Sequence, residues 1–242
     1  MALFRLDKYL ADAGIGTRSQ IKAYIKKGWV TVNQETAGRP DLKVDSDVDI
    51  ISFQGKNIQL SEFEYYLLNK PGGYVSAAKD PVFPVVVSLT GSSRKDLFPV
   101  GRLDKDTEGL LLITNDGTLA HRLLSPKKHV DKTYYAVVEG LVEERDVTLF
   151  KEGLQIGDED LDVAMPAVLS ILDTDAEKNL SYINVTIQEG KFHQVKRMFQ
   201  AVGKQVIYLR RISFGGLSLP DDLAPGECRR LTEEELAVLR GW

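Results

Sequence analysis

A single aspartate stands where a carboxylate could do chemistry. Asp104 ends the segment 101–104, follows Arg102 by two residues and precedes an apolar run at 110–113. The run predicts a fully buried strand, so the preceding turn would hold the carboxylate at the mouth of that strand. Because arginine is always charged, Arg102 would help to keep a neighbouring carboxylate ionised. This arrangement suits a nucleophile or a general base that is directed into a cleft.

A second carboxylate, Asp106, lies two residues further along the chain. Paired carboxylates are typical of glycosidases, in which one acts as an acid and the other as a nucleophile or base. Within a loop, a spacing of two residues fixes no distance between the two carboxyl groups. A hydrolase that uses Asp104 and Asp106 is therefore one alternative, and a surface ion pair between Asp104 and Arg102 is the ordinary one.

A helix predicted at 193–202 carries a second polar group of residues. Its apolar side chains form one stripe, and the opposite side carries His193, Lys196, Arg197 and Gln200. An amphipathic helix with a solvated basic face has this pattern and is the more common case. On a strand predicted at 133–139, Tyr134 and Tyr135 point to opposite faces, and a core position is the default for each.

The elements that must position these residues fall into two parts. Residues 1–58 indicate a small module: a helix from Leu6 that ends near Gly14, a second helix capped by Thr17, and a strand at 30–32. A linker is expected at 55–64. The remainder predicts strands at 65–69, 110–114, 133–139, 167–172, 180–187 and 205–214, and helices at 118–124, 143–151, 193–202 and 233–240. This order is typical of an α+β domain on a mixed sheet.

Charge is distributed unevenly along the 242 residues, whose formal net charge is −4. Six basic and two acidic residues give +4 at 1–30, six basic residues give +6 at 191–211, and nine acids against two bases give −7 at 139–162. Two cationic patches can bind a polyanion locally while the acidic region repels it. One cysteine, three scattered histidines and no long apolar run predict a reduced cytoplasmic protein without a disulfide, a zinc site or a membrane span.

Four segments resemble motifs of the pseudouridine synthases, which isomerise uridine in RNA. Residues 101–117, with their Gly-Arg-Leu-Asp turn and Asn-Asp-Gly ending, resemble the catalytic motif. Residues 189–199 resemble the third motif of that family, 131–137 its tyrosine motif, and 67–76 its first motif. Residues 5–10 and 26–33 together resemble the S4 RNA-binding domain.

The resemblance implies roles for individual residues. Asp104 would be the required carboxylate, acting either as a nucleophile or as a base at C2′, and Lys196 would pair with it, with Arg197 as the second candidate. Tyr134 would stack on the extracted base and assist proton transfer, and Arg102 would occupy the space that the flipped uridine vacates. The residues expected to bind RNA are Arg102, Arg5, Lys8, Arg18, Lys22, Lys26, Lys70, His193 and Arg197. Among them Arg18, Lys22 and Lys26 recur every fourth residue and form one stripe.

The resemblance also implies a fold and a substrate. The expected fold is α+β, with an S4-like module at 1–60 and a catalytic domain on a mixed, mainly antiparallel sheet at 61–242. Residues 193–198, 127–129 and 223–227 resemble the branch of the family that modifies one uridine in a hairpin of 16S ribosomal RNA. The expected partner is ribosomal RNA or a small-subunit assembly intermediate, bound by a monomer that needs no cofactor or metal.

Two further alternatives remain besides the hydrolase. A synthase that acts on 23S RNA would use the same chemistry on another substrate. A non-catalytic ribosome-assembly factor would keep the RNA-binding parts without a working site, although the joint presence of Asp104, Tyr134 and Lys196 speaks against it.

Overall fold

The computed structural model describes residues 3–13, 15–46, 48–58, 63–157 and 162–242. The chain divides into two compact units, Met1–Phe63 and Glu64–Trp242, so the division lies three residues beyond the expected boundary at 60/61. Three expected features fall wholly or partly outside the described residues: Gly14, residues 59–62 of the linker and residues 158–161 of the acidic region.

The N-terminal unit pairs two helices with short strands. Its elements are β1 (Leu3–Arg5), α1 (Leu6–Asp12), α2 (Arg18–Lys26), β2 (Val30–Val32), β3 (Glu35–Thr36), β4 (Lys43–Asp45), β5 (Ile51–Phe53) and β6 (Lys56–Ile58). Thr17 and Gln20 form a reciprocal cap at the start of α2, as the sequence predicts. Asn33 and Gln34 both have positive φ, which is the geometry of a tight hairpin turn between β2 and β3.

The expected linker at 55–64 is wrong over its first four residues. Residues 56–58 form β6, which pairs antiparallel with β5 across a turn at Gln54 and Gly55. Both turn residues have positive φ, so this segment is a hairpin rather than an open connection. Lys56 and Asn57 are polar and exposed, which is why the strand leaves little hydrophobic periodicity in the sequence.

The C-terminal unit contains eleven strands and four helices among its described residues. They are β7 (Tyr65–Lys70), β8 (Phe98–Pro99), β9 (Glu108–Thr114), α3 (Gly117–Leu124), β10 (Lys132–Glu139), α4 (Glu144–Glu152), β11 (Leu154–Gln155), β12 (Val163–Ala164), β13 (Val168–Asp175), β14 (Leu180–Ile187), α5 (Gln194–Ala201), β15 (Gln205–Phe214), β16 (Leu217–Ser218), β17 (Cys228–Arg230) and α6 (Glu233–Arg240). Short 3₁₀ turns lie at Val86–Thr90 and Pro126–Lys128. Every expected strand and helix of this unit is present, with ends shifted by at most three residues.

A nine-stranded sheet organises this unit. Its strand order over the described residues is β13-β14-β10-β15-β9-β7-β17, with β16 beside β15 and β8 beside β9. The pairing of β15 with β9 is parallel, and the other pairs are antiparallel. The expected mixed, mainly antiparallel sheet and the α+β class are therefore confirmed.

The strand that follows Asp104 is covered on both faces. Along β9, Leu111 and Ile113 belong to the core cluster that includes Phe150 of α4 and Phe199 of α5. Leu110 and Leu112 belong instead to the cluster formed with α3 and α6. Because alternate side chains enter two separate cores, the apolar run at 110–113 lacks the polar alternation of a half-exposed strand. The sheet thus provides a rigid support for the loop that carries Asp104.

Gly109 allows β9 to approach β15 closely. Its φ is +99°, and a Cβ atom there would lie 2.2 Å from the carbonyl oxygen of Arg211. We expect Gly109→Ala to destabilise the protein by about 3 kcal/mol, because backbone strain and overpacking act together. Gly117→Ala is the matched control, since a Cβ atom at Gly117 would meet no neighbour within 4 Å and the φ of Gly117 is not positive. Urea unfolding of both variants measures the difference, and equal stabilities would contradict the close approach at Gly109.

None of the helices among the described residues has the length and apolar character needed to cross a membrane.

Candidate active site

The loop between β8 and β9 carries Asp104, and hydrogen bonds fix it on both sides of that residue. Before Asp104, Ser76 Oγ donates to the carbonyl of Leu103 at 2.8 Å and accepts from the N–H of Leu103 at 3.0 Å. After it, the N–H of Thr107 donates to the carbonyl of Asp104 at 3.1 Å. The loop is therefore an ordered turn that presents the carboxylate at a fixed position.

Lys70 stabilises the same loop through hydrogen bonds to its backbone. Its side chain is fully buried, and Nζ donates to the carbonyls of Thr107 at 2.7 Å, Pro71 at 3.2 Å and Lys105 at 3.3 Å. The expected phosphate contact of Lys70 is therefore wrong, because an ammonium that is enclosed by backbone carbonyls is not available to RNA. Burial lowers the pKa of Lys70 to about 8, although the charges of Asp106, Glu108 and Asp104 oppose the shift.

The stability of the protein should report this buried charge. Unfolded Lys70 binds a proton up to about pH 10.5, whereas folded Lys70 releases it near pH 8. Between these values the unfolded state holds more protons, so the contribution of Lys70 to stability rises with pH. We expect the unfolding free energy of wild type relative to Lys70→Met to rise by about 2 kcal/mol from pH 8 to pH 10.5.

Urea unfolding of wild type and Lys70→Met at matched pH values measures this difference. Lys132 also has a pKa lowered to about 8, but both proteins contain it, and its contribution cancels in the comparison. A difference that stays constant across this pH range would contradict the assignment of a depressed pKa to Lys70.

Helix α5 places two basic side chains against the Asp104 carboxylate. Lys196 Nζ lies 3.5 Å from Asp104 Oδ2, and His193 Nε2 lies 3.6 Å from Asp104 Oδ1. His193 is the residue that precedes α5 and has a left-handed backbone conformation (φ 49°, ψ 33°). Lys196 lies about one helical turn further on, so both basic groups project to the same side. Each carboxylate oxygen therefore has its own basic neighbour.

Asp106 is the second carboxylate that contacts the ammonium of Lys196, on its solvent-exposed side. Lys196 Nζ donates to Asp106 at 2.7 and 2.8 Å, and this hydrogen bond is the main cause that lowers the pKa of Asp106. The side chain of Asp106 is 73% exposed and that of Asp104 is 30% exposed. Asp104 lines the cavities described below, and Asp106 lines neither of them. The geometry thus favours Asp104 as the reacting group and Asp106 as a partner of Lys196.

Two adjoining cavities meet at Asp104. The inner one, of about 70 Å³, is lined by polar residues from three chain segments and by apolar walls: Arg102, Leu103, Asp104, Tyr134, Ile187, His193, Lys196 and Leu209. The outer one, of about 430 Å³, is lined by Arg102, Asp104, Lys105, Phe192 and His193 among others. The structure therefore brings together Asp104, Tyr134, Lys196, Arg102 and His193, as the sequence predicts.

Tyr134 forms part of the floor of the inner cavity. It is 8% exposed and lies on β10, where Lys132, Tyr134, Ala136 and Val138 alternate with less buried residues. Its neighbour Tyr135 points to the other face, where its ring contacts that of Tyr208. A flat aromatic surface next to a carboxylate and apolar walls suits a planar heterocyclic base.

Arg197 is turned away from Asp104. Its guanidinium donates to the carbonyls of Ile156 at 2.9 Å and Phe192 at 3.3 Å, and it forms an ion pair with Asp162. The expectation that Arg197 is the second candidate to pair with Asp104 is therefore wrong, whereas its contact with RNA stays a prediction. The helical period explains this orientation, because residues 196 and 197 lie about 100° apart around the helix axis.

The expected RNA-binding residues of the N-terminal unit fall into two groups. Arg18, Lys22 and Lys26 are exposed on α2, and their spacing of four places them on one face of that helix. Arg5 instead donates to the buried carboxylate of Asp7 at 3.1 and 2.9 Å, while Lys8 is half-buried on α1. Arg5 is exposed as well, although Asp7 pairs with its guanidinium, so the exposed part of the expected surface comprises Arg5 and the stripe on α2.

Several residues near the site were not singled out from the sequence. Phe192 is 74% exposed, and its ring stacks on His193 with a centroid distance of 3.7 Å. Lys132 and Arg211 are buried charges close to Tyr134. The period of two on β10 places Lys132 on the same face as Tyr134, and that signal was available in the sequence. Arg211 shows no such signal, because it lies among apolar and basic residues on β15.

Comparison with known proteins agrees with this arrangement. A sequence model described as RNA pseudouridylate synthase matches residues 64–201, and a model of the S4 domain matches residues 4–50. A crystal structure of a pseudouridylate synthase has a TM-score of 0.69 at 36% identity and covers 98% of this chain and 99% of that one. The two matched segments correspond to the two units of the fold.

Full-length relatives differ in their named substrates. An uncharacterized RNA pseudouridine synthase of Bacillus subtilis, YtzG, is 45% identical over 97% of this chain and 98% of its own length. The ribosomal small subunit pseudouridine synthase A of Escherichia coli is 39% identical, with 96% and 98% covered. The ribosomal large subunit pseudouridine synthase B of B. subtilis is 38% identical, with 98% and 95% covered. These nearly equal identities do not separate small-subunit from large-subunit substrates.

Proposed function

Because this chain belongs to the RNA pseudouridine synthase family, we propose that its substrate is a single uridine in a hairpin of 16S ribosomal RNA. It binds free RNA or a small-subunit assembly intermediate, as a monomer in the cytoplasm. The observation that supports the chemistry most strongly is the position of Asp104, between Lys196 and His193 and at the junction of two cavities.

The reaction moves one glycosidic bond. The C1′–N1 bond of uridine breaks, the uracil turns within the cavity, and a new bond forms between C1′ and C5. N1 gains a proton and C5 loses one, so the product is an isomer of the substrate and no external reductant or group donor takes part. Asp104 can serve as a nucleophile toward the sugar or base, or as the base that removes the C2′ proton.

The surrounding residues support this step in three ways. Lys196 provides positive charge beside Asp104, which favours the ionised carboxylate when RNA closes the cavity, and His193 Nε2 lies next to the other carboxylate oxygen. Tyr134 and the apolar wall that includes Leu209 receive the face of the uracil ring. A paired uridine must leave its helix first, at a cost of a few kcal/mol. Arg102, which lines both cavities, is placed to enter the space that the base vacates.

The stripe on α2 should contribute affinity without sequence specificity. If Arg18, Lys22 and Lys26 each contact a phosphate, changing all three to glutamine should reduce the slope of log Kd against log salt by about 2 to 3. The matched control changes one arginine and two lysines elsewhere on the same unit, Arg39, Lys43 and Lys56, all of which are exposed. Filter binding at several salt concentrations measures the slopes. Equal slopes for the two triple variants would contradict the role of the stripe.

Substrate choice is tested by mapping pseudouridine in 16S and 23S transcripts, each with and without its assembly proteins. The proposal predicts one new pseudouridine in 16S RNA. It draws on the similarity of residues 193–198, 127–129 and 223–227 to the small-subunit branch of the family. A signal in 23S RNA alone would keep the chemistry and overturn the 16S assignment. Binding without modification of either RNA would favour the assembly-factor alternative.

A further inference from the structure

A third cavity lies next to the active site and is lined by buried cations. It has a volume of about 470 Å³ and shares Arg102 and Tyr134 with the inner cavity at Asp104. Its walls also include Lys132 and Arg211, from the neighbouring strands β10 and β15, and residues 124–126 at the end of α3. We name it the Arg211 cavity.

Arg211 and Lys132 are close together and almost completely enclosed. Arg211 is 2% exposed and Lys132 is 9% exposed. The Arg211 guanidinium lies 4.9 Å and the Lys132 ammonium 5.7 Å from the centroid of the same ring, that of Phe214. Two like charges buried side by side are unfavourable unless an anion compensates them.

Among the described residues, no carboxylate makes a direct contact with either cation. Arg211 Nε donates to the carbonyl of Leu110 at 2.8 Å, but its buried Nη2 has no hydrogen-bond partner among the described residues. Lys132 Nζ donates to the carbonyl of Val130 at 2.8 Å. Within the described part of the chain, no carboxylate forms an ion pair with either of these two cations.

Asp131 and Glu189 act electrostatically on Lys132, but their hydrogen bonds go to other groups and not to Lys132 or Arg211. Glu189, which lines the cavity, accepts from the N–H of Met165 at 2.7 Å and from Gln194 Nε2 at 2.8 Å. Asp131 accepts from Gln188 Nε2 at 2.9 Å. Lys191 also lines the cavity, but its ammonium is bound by Asp162. The cationic groups that remain for a ligand of the cavity are thus Arg211 and Lys132 inside, with Arg102 at the boundary with the active site.

We infer that the Arg211 cavity binds a backbone phosphate of the RNA strand, at a linkage adjacent to the uridine that is modified. A phosphodiester is the anion that a flipped nucleotide necessarily brings with it, and arginine and lysine are its usual ligands. The cavity shares Arg102 and Tyr134 with the site of the base, which puts a phosphate there within one nucleotide of the uracil. This inference rests on the proposed function, because it requires an RNA substrate.

The ionisation of Lys132 agrees with this role. Burial, together with the charge of Arg211, lowers the pKa of Lys132 to about 8, while Asp131 and Glu189 oppose the shift. At neutral pH the Lys132 side chain is still mainly protonated, so Lys132 and Arg211 both carry a positive charge that an anion can bind. A bound phosphate would remove the repulsion between them.

The test combines a protein variant with a neutral RNA linkage. A hairpin RNA that wild type binds is synthesised with a single methylphosphonate at each successive linkage, and Kd is measured for wild type and Lys132→Met. At one linkage, we expect the neutral group to weaken wild-type binding about tenfold. Lys132→Met should bind the natural RNA about tenfold more weakly and show little further loss at that linkage. If the effects of Lys132→Met and of the neutral linkage on Kd were independent at every linkage, so that the two fold-losses multiply, the inference would be overturned.

A stability measurement separates phosphate binding from a structural role. Without RNA, Lys132→Met should raise the midpoint of thermal unfolding, because it removes a buried repulsive charge. The control is Lys178→Met, at an exposed lysine paired with Asp175. It should bind the natural RNA like wild type and lose affinity at the same neutral linkage as wild type does. A lower midpoint with unchanged RNA affinity would make Lys132 a structural residue and contradict the proposal. Arg211→Lys and Arg211→Met provide a second pair if one variant fails to fold.

The proposed function and this inference can fail separately. Pseudouridine formation by wild type on unmodified RNA tests the function alone. The binding cycle needs only complex formation, so it remains decisive even if no RNA is modified.

Discussion

Asp104→Asn should abolish pseudouridine formation while the protein continues to bind RNA. Asparagine keeps the shape of the side chain, but its amide is neither a nucleophile nor a base. Removing a catalytic group of a serine protease triad lowers kcat by about 10⁴- to 10⁶-fold, and we expect a loss of at least about 10⁴-fold here. The Lys196 and His193 side chains, and hence the cationic surface, remain in place. Affinity for RNA should therefore change by no more than a few-fold.

Single-turnover measurements at saturating enzyme separate the chemical step from binding. Pseudouridine is quantified against time, and Kd is measured for the same RNA. Residual activity of Asp104→Asn within about tenfold of wild type would contradict the assignment, because an essential carboxylate leaves far less. Parallel loss of binding and activity would instead indicate a disrupted fold, which circular dichroism would reveal.

Lys196→Met should give the second largest loss, of about 10²- to 10³-fold in kcat, because it removes a preorganised charge from the reacting group. Lys196 Nζ is the cation shared by Asp104 and Asp106, at 3.5 Å and 2.7 Å respectively. Without it, the cation that contacts both carboxylates is lost. Lys196→Arg keeps the charge and should retain activity within about tenfold, since arginine also pairs with carboxylates.

Asp106→Asn is the matched control for this experiment. It removes the tighter of the two partners of Lys196 but leaves Asp104 in the cavity, so only a mild loss is expected. Loss of activity equal to that of Asp104→Asn would favour the hydrolase alternative, in which both carboxylates act. An inactive Lys196→Arg would show that the geometry at this position matters more than its charge.

Hydrophobic periodicity predicted most of the catalytic unit. The run at 110–113 indicates a strand that is buried on both faces, and the structure places alternate residues in two cores. Likewise, the stripe of Val195, Met198 and Phe199 orients α5, and this orientation puts Lys196 beside Asp104. Periodicity succeeds here because one buried face determines where the opposite residues point.

Buried charges were the part that periodicity could not predict. Lys70 reads as an exposed cation before a Pro-Gly-Gly turn, yet three backbone carbonyls enclose its ammonium. Arg211 lies next to Arg210 in the sequence, but one is buried and the other is not. Such residues depend on which loops and strands lie next to them in space, and a single sequence does not state that. The sequence pattern did not predict short strands such as β6, β8 and β17 for a related reason. Each of them gains its stability from pairing with a neighbouring strand.

The most direct test of the isomerisation is tritium release from RNA that contains [5-³H]uridine, measured together with free uracil. Joining C1′ to C5 displaces the hydrogen of C5, so each isomerised uridine releases one tritium to water and no uracil. We expect wild type to release one equivalent of tritium per 16S RNA, and Asp104→Asn to release none. Free uracil without tritium release would show that the glycosidic bond is cleaved but not rejoined, and it would contradict the isomerisation.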